Sequence, residues 1–335
     1  MIITKTPFRM SFFGGGTDME EYFKEKQGAV ISTTFDKYNY VIVRHLPNFF
    51  EYTNEIVYSK IERVSDDLDE IVHPAVREAM KMLDMKEIRL SYEADLPAKT
   101  GLGTSSSFAV GMLLAFHTLK GQYVDKEQLA KEAIYLERVL CDEKGGWQDQ
   151  IAAAYGGFNR IDFKDDKFTV KPMIIPVERK KELNSNLFMV FTGFTRFSSD
   201  IQKVNQKTSK SDRIAILDKM YSLVDEAEII LTDKEKGLDD FGRLLDVTWK
   251  LKTKTGKAVS TDSINYIYKQ GIESGALGGK LLGAGGGGFM LFYVPSENHE
   301  KFLSGMKDYM LVPFEFENDG AQVIHFRYES WKNHD

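Results

Sequence analysis

The chain carries one cysteine, Cys141, in 335 residues, so no internal disulfide can staple the fold and a reducing compartment suits it. No apolar run approaches the roughly 18 residues a membrane span needs. The opening MIITKTPFRM lacks the charged-then-apolar order of a secretory signal. These absences exclude a membrane-embedded reading and make the cytoplasm the expected location. The six histidines show neither HxxxH nor HExxH spacing, so a zinc site is not expected, and His117 in an apolar run reads as packed. A net charge of −6 spread over both halves gives no basic surface for nucleic acid. The densest cationic run, Arg179-Lys180-Lys181, reads as a solvated linker. The Walker spacing GxxxxGK[ST] is missing too: Gly279-Lys280 has Ser274 at the leading position and Leu281 after it.

What the chain does have is LPAKTGLGTSSSF, residues 96–108. Before it, Ile88, Leu90, Tyr92 and Ala94 alternate with polar residues, as in a half-buried strand. After it, an apolar run of helical character continues to Gly121. Strand, glycine loop and helix start in that order make a ready anion site, because the backbone turns tightly and the first helical turn offers free N–H groups. An ordinary N-cap needs one hydroxyl; Thr104, Ser105, Ser106 and Ser107 supply four. Phosphate binding is the stronger reading, with Lys99, Gly101, Leu102, Gly103 and the four hydroxyl residues as its candidates. GxGxxG fails here, since Ser106 stands at the third glycine.

At 335 residues two domains are expected. Residues 2–13 read as a strand pair around Pro7, broken by Gly14-Gly15-Gly16-Thr17-Asp18. That break is either a glycine turn with an Asp cap for a helix over 19–26 or a place where a ligand meets bare backbone, a hydroxyl and a carboxylate. Strands are expected over 38–46 and 57–64, and a helix from Pro74 to about Leu83. Asp125 with Gln128 opens a helix as a capping box, and Leu129, Ala133, Leu136 and Leu140 give it one buried stripe. Glu137 falls one residue off that stripe, on its flank. Asp149, in Trp147-Gln148-Asp149-Gln150, is by residue type alone a helix-start carboxylate. The polar stretch 164–186 marks a domain boundary. Residues 187–192 form a strand that ends in the turn carrying Arg196, and helices with breaks near 208–212 and 232–237 fill 200–254. The run 207–211 reads as a mobile turn. A helix begins at Ser260 or Thr261, and a last helix (297–308) and strand (321–328) close the second domain. In KLLGAGGGGFMLFYV, Gly283, Gly285 and Gly288 fit GxGxxG, but a strand follows where the dinucleotide fingerprint demands a helix. A hairpin making a close backbone approach is expected instead.

Three stretches in order resemble the three signatures of the GHMP small-molecule kinases: PFRMSFFGGGTD (7–18), the loop PxxxGLGxSSS, and the glycine hairpin at 283–287. The first matches at Pro7, Arg9, Gly14, Thr17 and Asp18, and its Gly-Gly-Gly-Thr-Asp form looks most like the D-glycero-D-manno-heptose 7-phosphate kinases of that family. The resemblance implies an α+β fold of two domains: a ribosomal protein S5 domain 2-like unit over 1–180 and a ferredoxin-like unit over 186–335. It implies ATP-dependent phosphoryl transfer to the anomeric hydroxyl of the heptose 7-phosphate, on a route to nucleotide-activated heptose. Galactose- or fucose-type kinases and a non-catalytic sugar/ATP sensor remain alternatives. By the same resemblance Asp149 is the base, Arg9 steadies it, and the Gly101–Ser107 loop holds ATP. Mg²⁺ falls to Glu137 with Ser105, or Ser106 one register along. Gly15, Gly16, Thr17 and Asp18 face the sugar, while Gly283, Gly285, Gly286 and Gly287 pack beside the phosphate loop. For a substrate phosphate, Arg196 is the candidate cation, with Lys99 and Lys5 behind it. The partner is a small-molecule sugar or sugar phosphate, with neither nucleic acid nor membrane, and the protein is expected as a monomer or homodimer.

Overall fold

The computed structural model describes residues 1–98, 100–193, 209–256, 259–283 and 285–327. Residues 2–13, read as a strand pair, form one continuous strand, Ile2–Phe13, whose register slips between Pro7 and Phe8 where the proline offers no N–H. Around it lies a sheet in the order Gln322–Phe326, Ile2–Phe13, Gly28–His45, Ile88–Ala94, Asn54–Val57 and Ile61–Val64. The far end of Gly28–His45 also pairs with Phe158–Lys164 and with the short strand Phe316–Glu317. The expected strand over 57–64 is a hairpin of two, and the expected helix over 19–26 is one turn, Glu20–Phe23.

The helix Thr104–Leu119 is apolar nearly all round and buried almost throughout, as a central helix must be. It crosses the first strand at Gly111, whose carbonyl accepts from the Thr4 hydroxyl at 2.9 Å. Helices Lys126–Tyr135 and Gln148–Tyr155 cover it, sharing with the sheet a core that includes Val41, Leu90, Val110, Phe116, Leu129 and Ile151.

A second sheet runs Met310–Val312, Leu187–Gly193, Gly288–Tyr293, Gly278–Leu281, all antiparallel. In chain order, with helices between the first and second strands and between the third and fourth, this is the ferredoxin-like arrangement. Its closing strand is Met310–Val312. The strand expected there at 321–328 instead returns to the first sheet, where Gln322–Phe326 pairs with Ile2–Lys5. The junction between the sheets is apolar: Phe8, Phe12 and Phe13 of the first strand pack with Phe241, Phe289 and Tyr293. Phe12 and Phe13 both meet the edge of the Phe241 ring, at 5.3 and 5.1 Å between centroids.

Two polar runs read as loops are structured. Arg179 lies in the helix Val177–Ser185, and its guanidinium donates to the carbonyls of Ile230, Leu231 and Lys236, closing the end of the helix Lys210–Thr232. Ser209 caps that same helix by accepting from the Asp212 N–H, so residues 209–211 begin the helix and are not a turn.

Candidate active site

The loop from Thr100 to Gly103 sits at the junction, and its backbone is gripped from both sides. The Arg9 N–H donates to the Leu102 carbonyl at 3.1 Å, and the Arg9 guanidinium donates to the Gly101 carbonyl at 2.7 Å. Leu102 is buried in the junction core. From the second sheet, the Gly283 backbone lies directly on Gly101, and that of Gly288 on Thr100. Gly101 (φ 81°) and Gly283 (φ 77°) both hold left-handed conformations, and a side chain on either would run into the other's backbone or its neighbour's. The start and end of the glycine hairpin, at Gly283 and Gly288, thus pack against the loop. Gly286 continues the contact by donating to the Val259 carbonyl at 3.3 Å, and Gly285 lies against Val259; Gly287 follows in the same turn.

The helix after the loop has no side-chain cap on its first turn, so the four hydroxyls are not spent as caps. Their positions differ. Thr104 is half-buried and Ser105 is exposed. The Ser107 hydroxyl turns inward to the Thr6 carbonyl at 3.1 Å. Ser106 is buried, and its hydroxyl donates to Glu137 Oε2 at 2.6 Å. Between the two serines, it is Ser106 that stands with the carboxylate.

Glu137 is only 1% exposed, not on a flank. The reason is local: residues Leu136–Leu140 make a π-helical turn, with the Cys141 N–H reaching back to the Leu136 carbonyl at 2.9 Å. The wider turn breaks the 3.6-residue register on which the flank placement rested and swings Glu137 inward. The Gln150 side-chain amide also donates to Oε2. Burial raises the Glu137 carboxyl above its ordinary value, while Arg138 and the two hydrogen bonds pull the other way.

Asp149 lies in the first turn of the helix Gln148–Tyr155, and the first strand brings Arg9 against it. Arg9 Nε donates to Oδ1 and Nη2 to Oδ2, each at 2.8 Å. The fork fixes the carboxylate plane and uses one acceptor site on each oxygen, leaving the remainder toward the junction. Gly103 stands beside this pair, where a side chain would press on Arg9 and the Asp149 carboxylate.

Asp18 faces Asp149 from the glycine run. It is buried, and accepts from the Gly16 N–H at 2.8 Å and from the Gln148 side-chain amide at 3.0 Å. Burial raises its carboxyl above the ordinary range, and the negative charge of Asp149 adds to the shift. The Gln148 Oε1 and Ser11 Oγ atoms beside this run are buried with no partner, which leaves polar atoms ready for a hydroxylated ligand. A side chain at Gly15 would come into van der Waals contact with Ser11 Oγ.

Thr17, read as facing a sugar, is fully buried. Its hydroxyl bonds the Gly14 and Ala29 carbonyls at 2.8 Å and accepts from the Ala29 N–H at 3.1 Å. Its full burial keeps the hydroxyl from a ligand, and its part is to lock the glycine run to the next strand. Lys5, a lesser candidate for a phosphate, lies over the Tyr38 ring at 4.3 Å. Lys99 and Arg196 fall outside the described residues.

Two cations escaped the sequence reading. Lys280, 3% exposed, donates to the carbonyls of Ser11 and Phe12 at 2.7 and 2.8 Å and so bolts the second sheet to the first strand. Burial, with Lys252 and Arg9 nearby, drops its amine well below the ordinary value. Lys252, at the end of the helix Asp239–Lys252, donates to the carbonyls of Leu281, at 3.0 Å, and Gly283. Burial, then Arg9, lowers its amine to about 8. Helical spacing alone gives no signal for either.

At the junction of the two sheets stand a glycine loop, an Arg-oriented carboxylate and a buried Ser–Glu pair, groups of the types that phosphoryl transfer uses. The family model of the GHMP kinases N terminal domain matches residues 70–157. The chain is 31% identical over 340 residues to the D-glycero-alpha-D-manno-heptose 7-phosphate kinase of Campylobacter jejuni, covering 96% of this chain and 98% of that one. The chain belongs to the GHMP kinases, phosphotransferases with an alcohol group as acceptor. It is also 30% identical to the mevalonate kinase of Pyrococcus horikoshii, over 73% of this chain and 70% of that protein. Among solved structures, a D-glycero-D-manno-heptose 1-phosphate kinase from Bacteroides thetaiotaomicron superposes with a TM-score of 0.80 at 22% identity, covering 98% of this chain and all of that one. No helix among the described residues is long and apolar enough to cross a membrane.

Proposed function

We propose that this protein transfers the γ-phosphoryl group of ATP to the anomeric hydroxyl of D-glycero-D-manno-heptose 7-phosphate, giving the 1,7-bisphosphate for nucleotide-activated heptose synthesis. The observation that carries the substrate is the identity to the Campylobacter heptose 7-phosphate kinase along nearly the whole of both chains. The pocket chemistry supports it: Asp18, with the unpartnered Gln148 and Ser11 oxygens, offers acceptors and a donor to a polyol. The ATP side of the site is assigned to residues 1–180 and the facing side to the unit over 186–335, except that its strands Phe316–Glu317 and Gln322–Phe326 join the first sheet. Arg196, just past an apolar strand in the sequence, is the candidate reader of the sugar phosphate.

In this reaction the acceptor hydroxyl gives its proton to Asp149, held in place by Arg9. The freed oxygen forms a bond to the γ-phosphorus, and the bond from that phosphorus to the β–γ bridging oxygen breaks, its electron pair leaving on ADP. Positioning and charge neutralisation do most of the work in such a transfer. The loop from Gly101 to Ser107 holds the phosphates. Magnesium takes few protein ligands, commonly one or two carboxylates beside substrate phosphates, and the buried Glu137 with Ser106 fits that need. Held there, the ion would offset negative charge on the nucleotide phosphates.

The test is an ADP-release assay over a panel of free and phosphorylated aldoses. The heptose 7-phosphate is expected to give the highest kcat/KM. Preference for free galactose or fucose would reassign the acceptor, and no turnover with any aldose would favour a sugar and ATP sensor.

A further inference from the structure

We propose that Lys252 is a phosphoryl-binding cation, contacting the γ-phosphate of ATP from the end of the helix Asp239–Lys252, across the glycine contact from Arg9. The inference rests on the phosphotransfer reading above and adds a residue to it. Its basis is a symmetry across the glycine contact. Gly101 and Gly283 touch backbone to backbone. On one side the Arg9 guanidinium holds the Gly101 carbonyl; on the other the Lys252 ammonium holds the Gly283 carbonyl. The two cations thus flank the point where the second sheet meets the phosphate loop.

The charges there do not balance. Arg9 is committed to Asp149, and Asp18 is satisfied by Gly16 and Gln148. Among the described residues no carboxylate lies in ion-pair distance of Lys252 or Lys280. Both lysines rest on neutral carbonyls only. Lys280 is sealed in and spends itself as a strut, whereas Lys252 is half-buried, and two carbonyls leave one of its three ammonium protons unspent. A cation held without a counter-charge beside a phosphate loop awaits an anion. Its charged neighbours are Asp18 and Arg9, the partner of Asp149. That location fits the transferring phosphoryl group rather than a phosphate at the far end of an acceptor. No proton passes through Lys252 in this role; it offsets the negative charge on the γ-phosphoryl oxygens while the bond to ADP breaks.

The test compares the affinities of AMP-PNP and ADP, each with Mg²⁺, in the wild type and in Lys252→Met, Lys252→Gln and Lys252→Arg. Loss of a charge-assisted contact should weaken AMP-PNP about 10- to 150-fold in the Met variant while ADP stays within about threefold. Gln keeps a hydrogen-bonding amide without the charge and should behave as Met does, and Arg should retain most of the discrimination. Equal loss for both nucleotides, no loss for either, or rescue by Gln would overturn the proposal, reducing Lys252 to a tie for the glycine hairpin. Should the Met variant fail to fold, the contrast between Gln and Arg decides the question alone. A selective rise in KM for a phosphorylated acceptor over its dephosphorylated form, with AMP-PNP affinity unchanged, would also overturn it by moving Lys252 to the acceptor phosphate. These nucleotide measurements need no acceptor, so failure to find a sugar substrate would sink the acceptor assignment without deciding the role of Lys252.

Discussion

Arg9 and Asp149, 140 residues apart, meet in a two-pronged ion pair with 2.8 Å on each prong. The same guanidinium also holds the Gly101 carbonyl. One side chain therefore holds both Asp149 and the glycine loop, and it is carried on the strand Ile2–Phe13 of the large sheet.

Asp149→Asn should separate chemistry from structure. The amide preserves shape and one acceptor, and the helix it starts is short and well packed. Turnover is expected to fall roughly 10²–10⁴-fold, as for loss of a general base, with the fold and ATP binding kept but the melting temperature lowered, because the amide nitrogen cannot accept from one prong of the Arg9 fork. Wild-type turnover would remove Asp149 from the reaction; loss of folding would return it to the role of a helix-start carboxylate.

Ser106 and Glu137 share one hydrogen bond of 2.6 Å and, in our reading, one magnesium ion. Glu137→Gln should raise the Mg²⁺ concentration for half-maximal rate, because the amide lacks the charge a hard cation prefers. Ser106→Ala should do so less. As both act on one ion, the double variant should be less impaired than the product of the two single effects. Multiplying effects would mean that the two residues do not act through a shared ion.

Much of this site is legible in residue types and order, and the failures have identifiable causes. Gly101 and Gly283 stand out because backbone contact at left-handed φ leaves no other residue a place, and Gly103 because its left-handed φ lies against the Arg9 and Asp149 side chains. Asp149 and Arg9 are visible as types, but only the fold makes them a pair. Glu137 was misplaced because periodicity assumes a regular helix and a π-helical turn breaks the count. Thr17 was misassigned because a hydroxyl's partners are set by the neighbouring strand at Ala29, which lies twelve residues on. Lys252 and Lys280 were missed because a lysine held by carbonyls leaves no pattern in sequence. The return of Gln322–Phe326 to the first sheet is likewise a matter of register with Ile2–Lys5, which composition does not encode.

Asp18 should show a cost in stability for its role. Burial and Asp149 raise its carboxyl in the folded protein above its unfolded value near 3.8. The native state therefore holds this proton more tightly than the unfolded one, and the charged form is penalised once the pH exceeds the raised value. Asp18→Asn should therefore raise the melting temperature at pH 7. Gln148 can accommodate the new amide by turning its unpartnered Oε1 toward it. The gain should shrink as the pH falls from the raised folded value toward 3.8 and vanish below it, where both states of the wild type are protonated. The sugar KM should meanwhile rise about tenfold or more, through loss of a charge-assisted contact. A melting temperature at pH 7 that falls in the Asn variant would show that Asp18 stabilises the fold instead.

Gly283→Ala, set against Gly121→Ala, should reveal what the glycine contact does for the nucleotide. Both glycines sit at left-handed φ, 77° and 69°, so alanine at either pays the same backbone strain, about 1–2 kcal/mol. They differ in what a methyl group would meet. At Gly121, past the end of the helix Thr104–Leu119, nothing lies within 4 Å, whereas at Gly283 the methyl would overlap the backbone of Gly101. Gly121→Ala is expected to lower stability by the strain alone and to leave the KM for ATP unchanged. Gly283→Ala must in addition push the hairpin off the phosphate loop and disturb both the Lys252 bond to Gly283 and the Arg9 bond to Gly101. Its KM for ATP should rise several-fold, with a larger fall in denaturation midpoint than the Gly121 control. If the two variants lose equal stability and the ATP KM is unchanged in both, the hairpin can give way without moving the loop, and the backbone contact between the two sheets is not what positions the nucleotide.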